Sequence, residues 1–297
     1  MKVRDMDGFV VEEPRARRIE LPERGGAMAA LDFGPADRPI DIVFSHANGF
    51  NARTYRTVLA DLAPRFRILA VDLRGHGRTA LPTETEGRNS WDGLADDLLA
   101  LMAALDVRGA VLSGHSMGGT SSLLAAGRAP ERVKSLVLFD PVLFPVEARR
   151  AMKGPSPLEI GARRRRAVFA SREEAIAAYT GRGAFKTWTP TQLADYVADG
   201  FRDRPDGQVE LSCSPDWEAS NFASHGHDPW PVLREPPFPI RILRAEEGST
   251  SGSLTPYVGE LAAAGVRIET VPGTTHFLPM ERPQVVRAAL AEAAEAA

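Results

Sequence analysis

The chain is poor in cysteine, with Cys213 alone among 297 residues. One thiol closes no intrachain disulfide and builds no cysteine-based zinc site. This suits a reducing compartment, and a cytoplasmic location is the expectation. Long apolar runs are also missing. No stretch of about 18 apolar residues occurs, so no membrane span is expected. The opening residues MKVRDMDGFVVEEPRARR hold no apolar segment of the kind a secretion signal needs. Charge of one sign is lacking too. A net charge of −3 offers no strong field to nucleic acid or to an anionic membrane, and neither is expected as a partner. Apolar residues reach 43% and charged residues 25%, ordinary values for a globular chain long enough to bury a large core.

Short apolar runs alternate with longer amphipathic ones. Ile42–Phe44, Ile68–Val71, Ala110–Leu112, Leu136–Phe139 and Ile240–Leu243 predict strands. Their nearly continuous apolar character fits parallel strands covered on both faces. Between them, Leu94, Leu98, Leu101, Met102 and Leu105 recur at helical spacing, with Ser90 as the expected N-cap. Asn51–Ala63, Met117–Arg128 and Leu254–Ala264 also predict helices, and Val266–Val271 resumes a strand after Gly265. This alternation implies an α/β fold with an open, mostly parallel sheet.

The alternation breaks between residues 142 and 228, which carry helical patterns and the run Arg163-Arg164-Arg165-Arg166. The segment is expected to be a helical insertion over the C-terminal edge of the sheet. The arginines are read as a solvated helix face balanced by nearby acids such as Glu173 and Glu174. Five prolines between Pro229 and Pro239 suggest a stiff connector back to the sheet.

Gly114-His115-Ser116-Met117-Gly118 has the G-x-S-x-G pattern of a nucleophile elbow, placed after a strand and before a helix. Glycines on both sides permit a tight turn that lifts the serine hydroxyl above the helix N-terminus. A serine hydroxyl is a weak nucleophile near neutral pH and needs a base. His276 is the candidate, because it follows the last strand and so stands at the same sheet edge. His115 is read mainly as packing, and His76 and His46 as loop residues. The His225-Gly226-His227-Asp228 pattern lacks further ligands, so no metal and no cofactor are expected. The acid partner has two possible sources: Asp140 after one strand, or Glu246 and Glu247 after another. Oxyanion donors are expected from the amide of Met117 and from the loop Ser45–Phe50, through the amide of Asn48 or Gly49.

The stretches HANGF (46–50), DLRGHGRT (72–79), GHSMGG (114–119), LVLFDP (136–141) and GTTHFLPMERP (273–283) together resemble the α/β-hydrolase-fold superfamily over nearly the whole chain. The resemblance implies a core of residues 1–141 and 229–297 and a helical cap of residues 142–228. Many members place the acid after the penultimate strand in a G-x-x-D pattern. Here that stretch reads Ala245-Glu246-Glu247-Gly248, with glycine where the aspartate is expected. Some members, certain haloalkane dehalogenases among them, carry the acid one core strand earlier, and this favours Asp140. Related dehalogenases and epoxide hydrolases use an aspartate nucleophile, which Ser116 replaces.

The expected activity is therefore hydrolysis of a small-molecule carboxylic ester, lactone or thioester, of unspecified acyl size, through an acyl-enzyme on Ser116, by a monomer or homodimer. The alternatives are hydrolysis of a C–C bond in vinylogous diketones, cofactor-free perhydrolysis, or a ligand receptor that does not turn over. Candidate pocket residues are Phe50, His115, Leu143, Phe144, Trp188, Phe222 and Phe277.

Overall fold

A computed structural model describes residues 2–4, 10–151 and 153–296. Two short strands, β1 (Lys2–Arg4) and β2 (Val10–Glu12), pair with each other. The central sheet takes β3 (Arg15–Leu21), β4 (Gly26–Phe33), β5 (Ile42–Ser45), β6 (Ile68–Val71), β7 (Ala110–His115) and β8 (Val133–Phe139). An insert follows, carrying β9 (Val168–Phe169), β10 (Phe201–Asp203) and β11 (Val209–Leu211) as a small antiparallel sheet. The chain then returns to the central sheet with β12 (Ile240–Ala245) and β13 (Val266–Val271). The spatial order is β13-β12-β8-β7-β5-β6-β4-β3. All neighbours from β6 to β13 run parallel, and β4 runs against both β6 and β3.

Helices α1 (Arg56–Leu59), α2 (Asp92–Ala104) and α3 (Met117–Arg128) lie before the insert. The insert holds α4 (Val146–Ala151), α5 (Pro157–Arg163), α6 (Arg172–Tyr179), α7 (Pro190–Gly200) and α8 (Pro215–Ala223). After it come α9 (Trp230–Arg234), α10 (Val258–Ala263), α11 (Leu278–Glu281) and α12 (Pro283–Glu295). Strand side chains alternate between faces, which splits the interior into two cores. Val43, Leu69, Val71, Leu112 and Leu138 face one core, with Leu94, Leu98 and Leu101 of α2. Ile42, Phe44, Ile68, Val111 and Val137 face the other, with Val58 of α1 and Val286 and Leu290 of α12. Each such fully buried aliphatic side chain contributes about 1.5–3 kcal/mol. The expected parallel strands are all present. β3, at the sheet edge, instead carries Arg15, Arg17 and Arg18, the first two paired with the buried Asp32 of β4, a charged rim that discourages pairing with another chain.

Three expectations about local structure need correction. Helix α2 begins at Asp92 with Trp91 as its N-cap, while Ser90 Oγ accepts only a 3.4 Å contact from the Asp92 amide. Asn51–Ala63 is a short α-turn between two 3₁₀ turns, opened by the Asn51 side chain accepting from the Thr54 amide. The proline-rich stretch 229–239 is not only a connector, since it contains α9. In the insert, Ser156-Pro157, Thr189-Pro190 and Ser214-Pro215 each start a helix. A hydroxyl caps the amide three residues on, and the proline occupies a position whose amide needs no partner. Among the described residues no helix is long and apolar enough to cross a membrane.

Candidate active site

Parallel strands end on the same edge of a sheet, and register decides which residues meet there. His115 of β7 pairs with Phe139 of β8, so Ser116 and Asp140 each stand one residue beyond the same rung. Ser45 of β5 pairs with Gly114, which brings the loop after β5 to the other side of the serine. Ala245 of β12 pairs with Val271 of β13, which starts the loop to His276 above the same edge.

Ser116 sits at φ 55°, ψ −122°, a strained conformation for a residue with a side chain. Its neighbours explain the two glycines. A Cβ on Gly114 would lie 2.5 Å from the carbonyl carbon of Gly118, and one on Gly118 would lie 2.3 Å from the oxygen of Ser45. The hydroxyl of Ser116 lies 3.1 Å from Nε2 of His276. Nδ1 of His276 lies 2.6 Å from Oδ2 of Asp140. Asp140 also has positive φ, at 43°. Its carboxylate is fully buried and accepts from the Ala245 amide, the Ser249 hydroxyl and the Thr250 amide. Burial alone would raise the Asp140 carboxyl. The hydrogen bond and charge of His276, with Ser249 and the Ala245 amide, reverse this and hold it below the ordinary aspartate range.

The structure thus brings Ser116, His276 and Asp140 into one hydrogen-bonded line. Glu246 and Glu247 lie outside it. Both are exposed. Glu246 accepts from the Gly273 amide at 2.9 Å, and the Glu247 amide donates to the Thr274 carbonyl at 3.0 Å. The loop after β12 holds the Asp140 carboxylate: Ser249 and Thr250 bond to it across the β8–β12 seam. Sequence reasoning missed these two residues. Their signal was the pair of hydroxyls following the glycine where an aspartate would otherwise stand. It also missed Glu281, whose carboxylate accepts from the Thr275 amide and hydroxyl and so ties down the loop carrying His276.

The loop after β5 is held almost atom by atom. The Ala47 amide donates to the Tyr55 hydroxyl at 3.2 Å, and the Gly49 amide donates to Nε2 of His76 at 3.0 Å. Gly49 is thereby removed from the two candidate oxyanion donors. Among the described residues, the Asn48 amide has no acceptor. The Met117 amide opens α3, where the first-turn amides have no acceptor within the helix. His46 is pushed down to about 4 and His76 well below its ordinary value, both by burial, so both rings are neutral. Each donates from Nδ1 to a carbonyl, of Ala47 and Arg74, and accepts an amide at Nε2.

Ser116 and His276 open into a cavity of ≈ 1280 Å³. Phe50, Phe144, Phe222 and Phe277 line it. Three other residues expected in its wall are placed elsewhere. Leu143 is fully buried in one core. Trp188 packs edge-on behind Phe50, with ring centroids 5.2 Å apart. His115 lies fully buried between the Tyr55 hydroxyl and the His276 carbonyl, at 2.7 Å from each. The arginine run also departs from expectation. α5 ends at Arg163, and Arg165 turns inward, where Glu218 and the hydroxyls of Tyr196 and Tyr179 satisfy its guanidinium.

The sequence profile of the alpha/beta hydrolase family matches residues 42–289. The chain belongs to that family. Its central sheet, mostly parallel and flanked by helices, is the α/β-hydrolase fold. Over 249 residues it is 25% identical to 2-(acetamidomethylene)succinate hydrolase of Mesorhizobium japonicum, a match covering 84% of this chain and 86% of that one. A crystal structure of E-2-(acetamidomethylene)succinate hydrolase superposes with a TM-score of 0.80 at 24% identity, over 95% of this chain and 100% of that one, which shows the shared fold. A shorter match, 41% identical over 98 residues, joins 33% of this chain to 26% of the dihydrolipoyllysine-residue acetyltransferase component of the acetoin cleaving system of Pseudomonas putida. The chain therefore spans about a quarter of that relative's length.

Proposed function

We propose that this alpha/beta hydrolase cleaves carboxylic esters, lactones or thioesters through an acyl-enzyme on Ser116. The observation that carries the reading is the line Ser116–His276–Asp140, at 3.1 and 2.6 Å, whose Ser116 and His276 stand in the wall of a cavity lined by four phenylalanines. His276 takes the hydroxyl proton as Ser116 Oγ attacks the substrate carbonyl. Asp140 keeps the remaining imidazole proton on Nδ1 and stabilises the imidazolium that forms. The amides of Met117 and Asn48 receive the charge that develops on the carbonyl oxygen. His276 then protonates the leaving alcohol or thiol. Water, activated by the same ring, releases the acid and restores Ser116. Residues 142–228 act as the cap that closes the acyl pocket. At ≈ 1280 Å³ the cavity is larger than the about 300–1,000 Å³ of ordinary small-molecule sites, which favours a bulky acyl group.

Initial rates on p-nitrophenyl esters of increasing acyl length, with the wild type and Ser116→Ala side by side, test this. Turnover that depends on Ser116 and peaks beyond acetate is expected. Equal rates for the two proteins on every ester would overturn it, and a vinylogous diketone would be the next substrate.

A further inference from the structure

The insert reaches the core at the loop that carries the Asn48 amide. The Asn48 side chain is gripped at both ends by helix α8. Its Nδ2 donates to the Glu218 carbonyl at 3.0 Å, and its Oδ1 accepts from Asn221 Nδ2 at 2.8 Å. His76 Nε2 lies 3.3 Å from the same oxygen but donates nothing to it, because that nitrogen already accepts the Gly49 amide and the ring proton sits on Nδ1. Among the described residues, Asn221 is therefore the side-chain donor to Asn48. Asn221 is fully buried, and α8 is itself anchored at Trp217 and at the Asn221 carbonyl. Trp217 Nε1 donates to the Arg74 carbonyl at 2.8 Å, and Trp91 Nε1 donates to the Asn221 carbonyl at 3.1 Å. The Glu218 carboxylate, paired with Arg165 at 2.6 Å, presses on the loop from above: a Cβ on Gly49 would lie 2.6 Å from Glu218 Oε1.

A side chain held at both ends fixes its own Cα and the peptide planes beside it. The neighbouring amides of Ala47 and Gly49 are already committed to Tyr55 and His76, so the unclaimed Asn48 N–H is the group this grip orients. We propose that Asn221 is a positioning residue for the oxyanion donor, and that the donor is set only while α8 of the insert is seated on the loop. This rests on the reading of Asn48 as an oxyanion donor. It adds that cap and oxyanion loop are one mechanical unit, so that substrates which unseat α8 are bound but slowly processed.

The test has two arms. In the first, amide hydrogen exchange is followed at residues 46–50 and at α3 in the wild type, Asn221→Ala and Asn48→Ala, with no substrate present. Exchange of the Ala47 and Gly49 amides is expected to rise about tenfold or more in both variants while α3 is unchanged, as for a local opening. Wild-type exchange in this loop would overturn the proposal. In the second arm, ester turnover by Asn221→Ala is expected to fall in kcat with KM nearly constant. The fall is bounded by the about 10²–10³-fold cost of deleting an oxyanion donor. The double variant should lose no more than Asn48→Ala alone, since Asn48→Ala already breaks the contact that Asn221→Ala removes. A rise in KM with kcat preserved, or additive losses, would make Asn221 a pocket or packing residue and overturn the assignment. If the wild type has no serine-dependent ester activity, the proposed reaction falls, while the exchange arm still decides the latch. If Asn221→Ala does not fold, Asn48→Ala breaks the same grip from the core side.

Discussion

The Nε2–H of His115 donates to the backbone carbonyl of His276 at 2.7 Å. The residue beside Ser116 thus holds the main chain of His276. A carbonyl can only accept, so the proton is on Nε2 and Nδ1 accepts from the Tyr55 hydroxyl at 2.7 Å. Tyr55 in turn accepts the Ala47 amide. Burial, with the nearby His276, pushes His115 down to about 3 and keeps the ring neutral, as this arrangement requires.

Tyr55→Phe keeps the ring and removes the link. It leaves the Ala47 amide and His115 Nδ1 buried without partners, at about 1–3 kcal/mol for each unsatisfied group. A lower urea midpoint with an unchanged slope is expected, together with a reduced kcat on esters. An unchanged midpoint would mean that water replaces the hydroxyl.

Asp140→Asn is expected to lower kcat by about 10⁴, the cost of presenting His276 in the wrong tautomer. The Glu246→Ala/Glu247→Ala double variant should turn over near the wild-type rate, because neither side chain reaches His276. Near wild-type turnover by Asp140→Asn would remove Asp140 from the mechanism.

Gly118→Ala tests the elbow by sterics alone. The added carbon would meet the backbone oxygens of Ser45 and His46 at 2.3 and 2.4 Å, and backbone atoms cannot swing aside. Overpacking of this kind costs about 1–3 kcal/mol, so a lower Tm and lost turnover are expected together. By contrast, Gly93→Ala in α2, where nothing lies within 4 Å, should be neutral or stabilising.

Acid should destabilise the fold well before most carboxylates titrate. Burial lowers five histidines: His46 to about 4, His115 and His227 to about 3, with His76 and His225 also lowered. As pH falls below the ordinary histidine value of 6.5, the unfolded chain takes up protons that the folded chain refuses, so stability is lost with falling pH. Two buried carboxyls oppose this over part of the range: Asp72, raised to about 7, and Asp195, raised to about 6. Five groups against two leave the unfolded state with more bound protons between pH 6 and 4. Tm measured from pH 7 to 4.5 should fall steadily. A flat or rising Tm would show that these histidines are protonated in the folded protein.

The core strands were legible because a parallel strand covered on both faces must be apolar at every position, as in Ile42–Phe44 and Ile68–Val71. Ser116 was legible because the elbow is a local device, with glycines two residues to either side. His276 followed from chain order and the end of a strand. The choice among Asp140, Glu246 and Glu247 was not available from spacing, since all three follow strands at the same sheet edge. It turned on the departure of residues 245–248 from the family pattern, and the structure places only Asp140 on His276.

By itself the sequence determined the α/β alternation, the tight turn at Ser116 and the helix starts of the insert, because each depends on residues within a few positions of one another. Tertiary structure alone decided which carboxyl meets the histidine, that Arg165 turns inward to Glu218, and that Asn221 grips Asn48 from 173 residues away. These are contacts between side chains distant in the chain. Their partners are chosen by strand register and by how the insert packs on the sheet edge, and no local pattern encodes either.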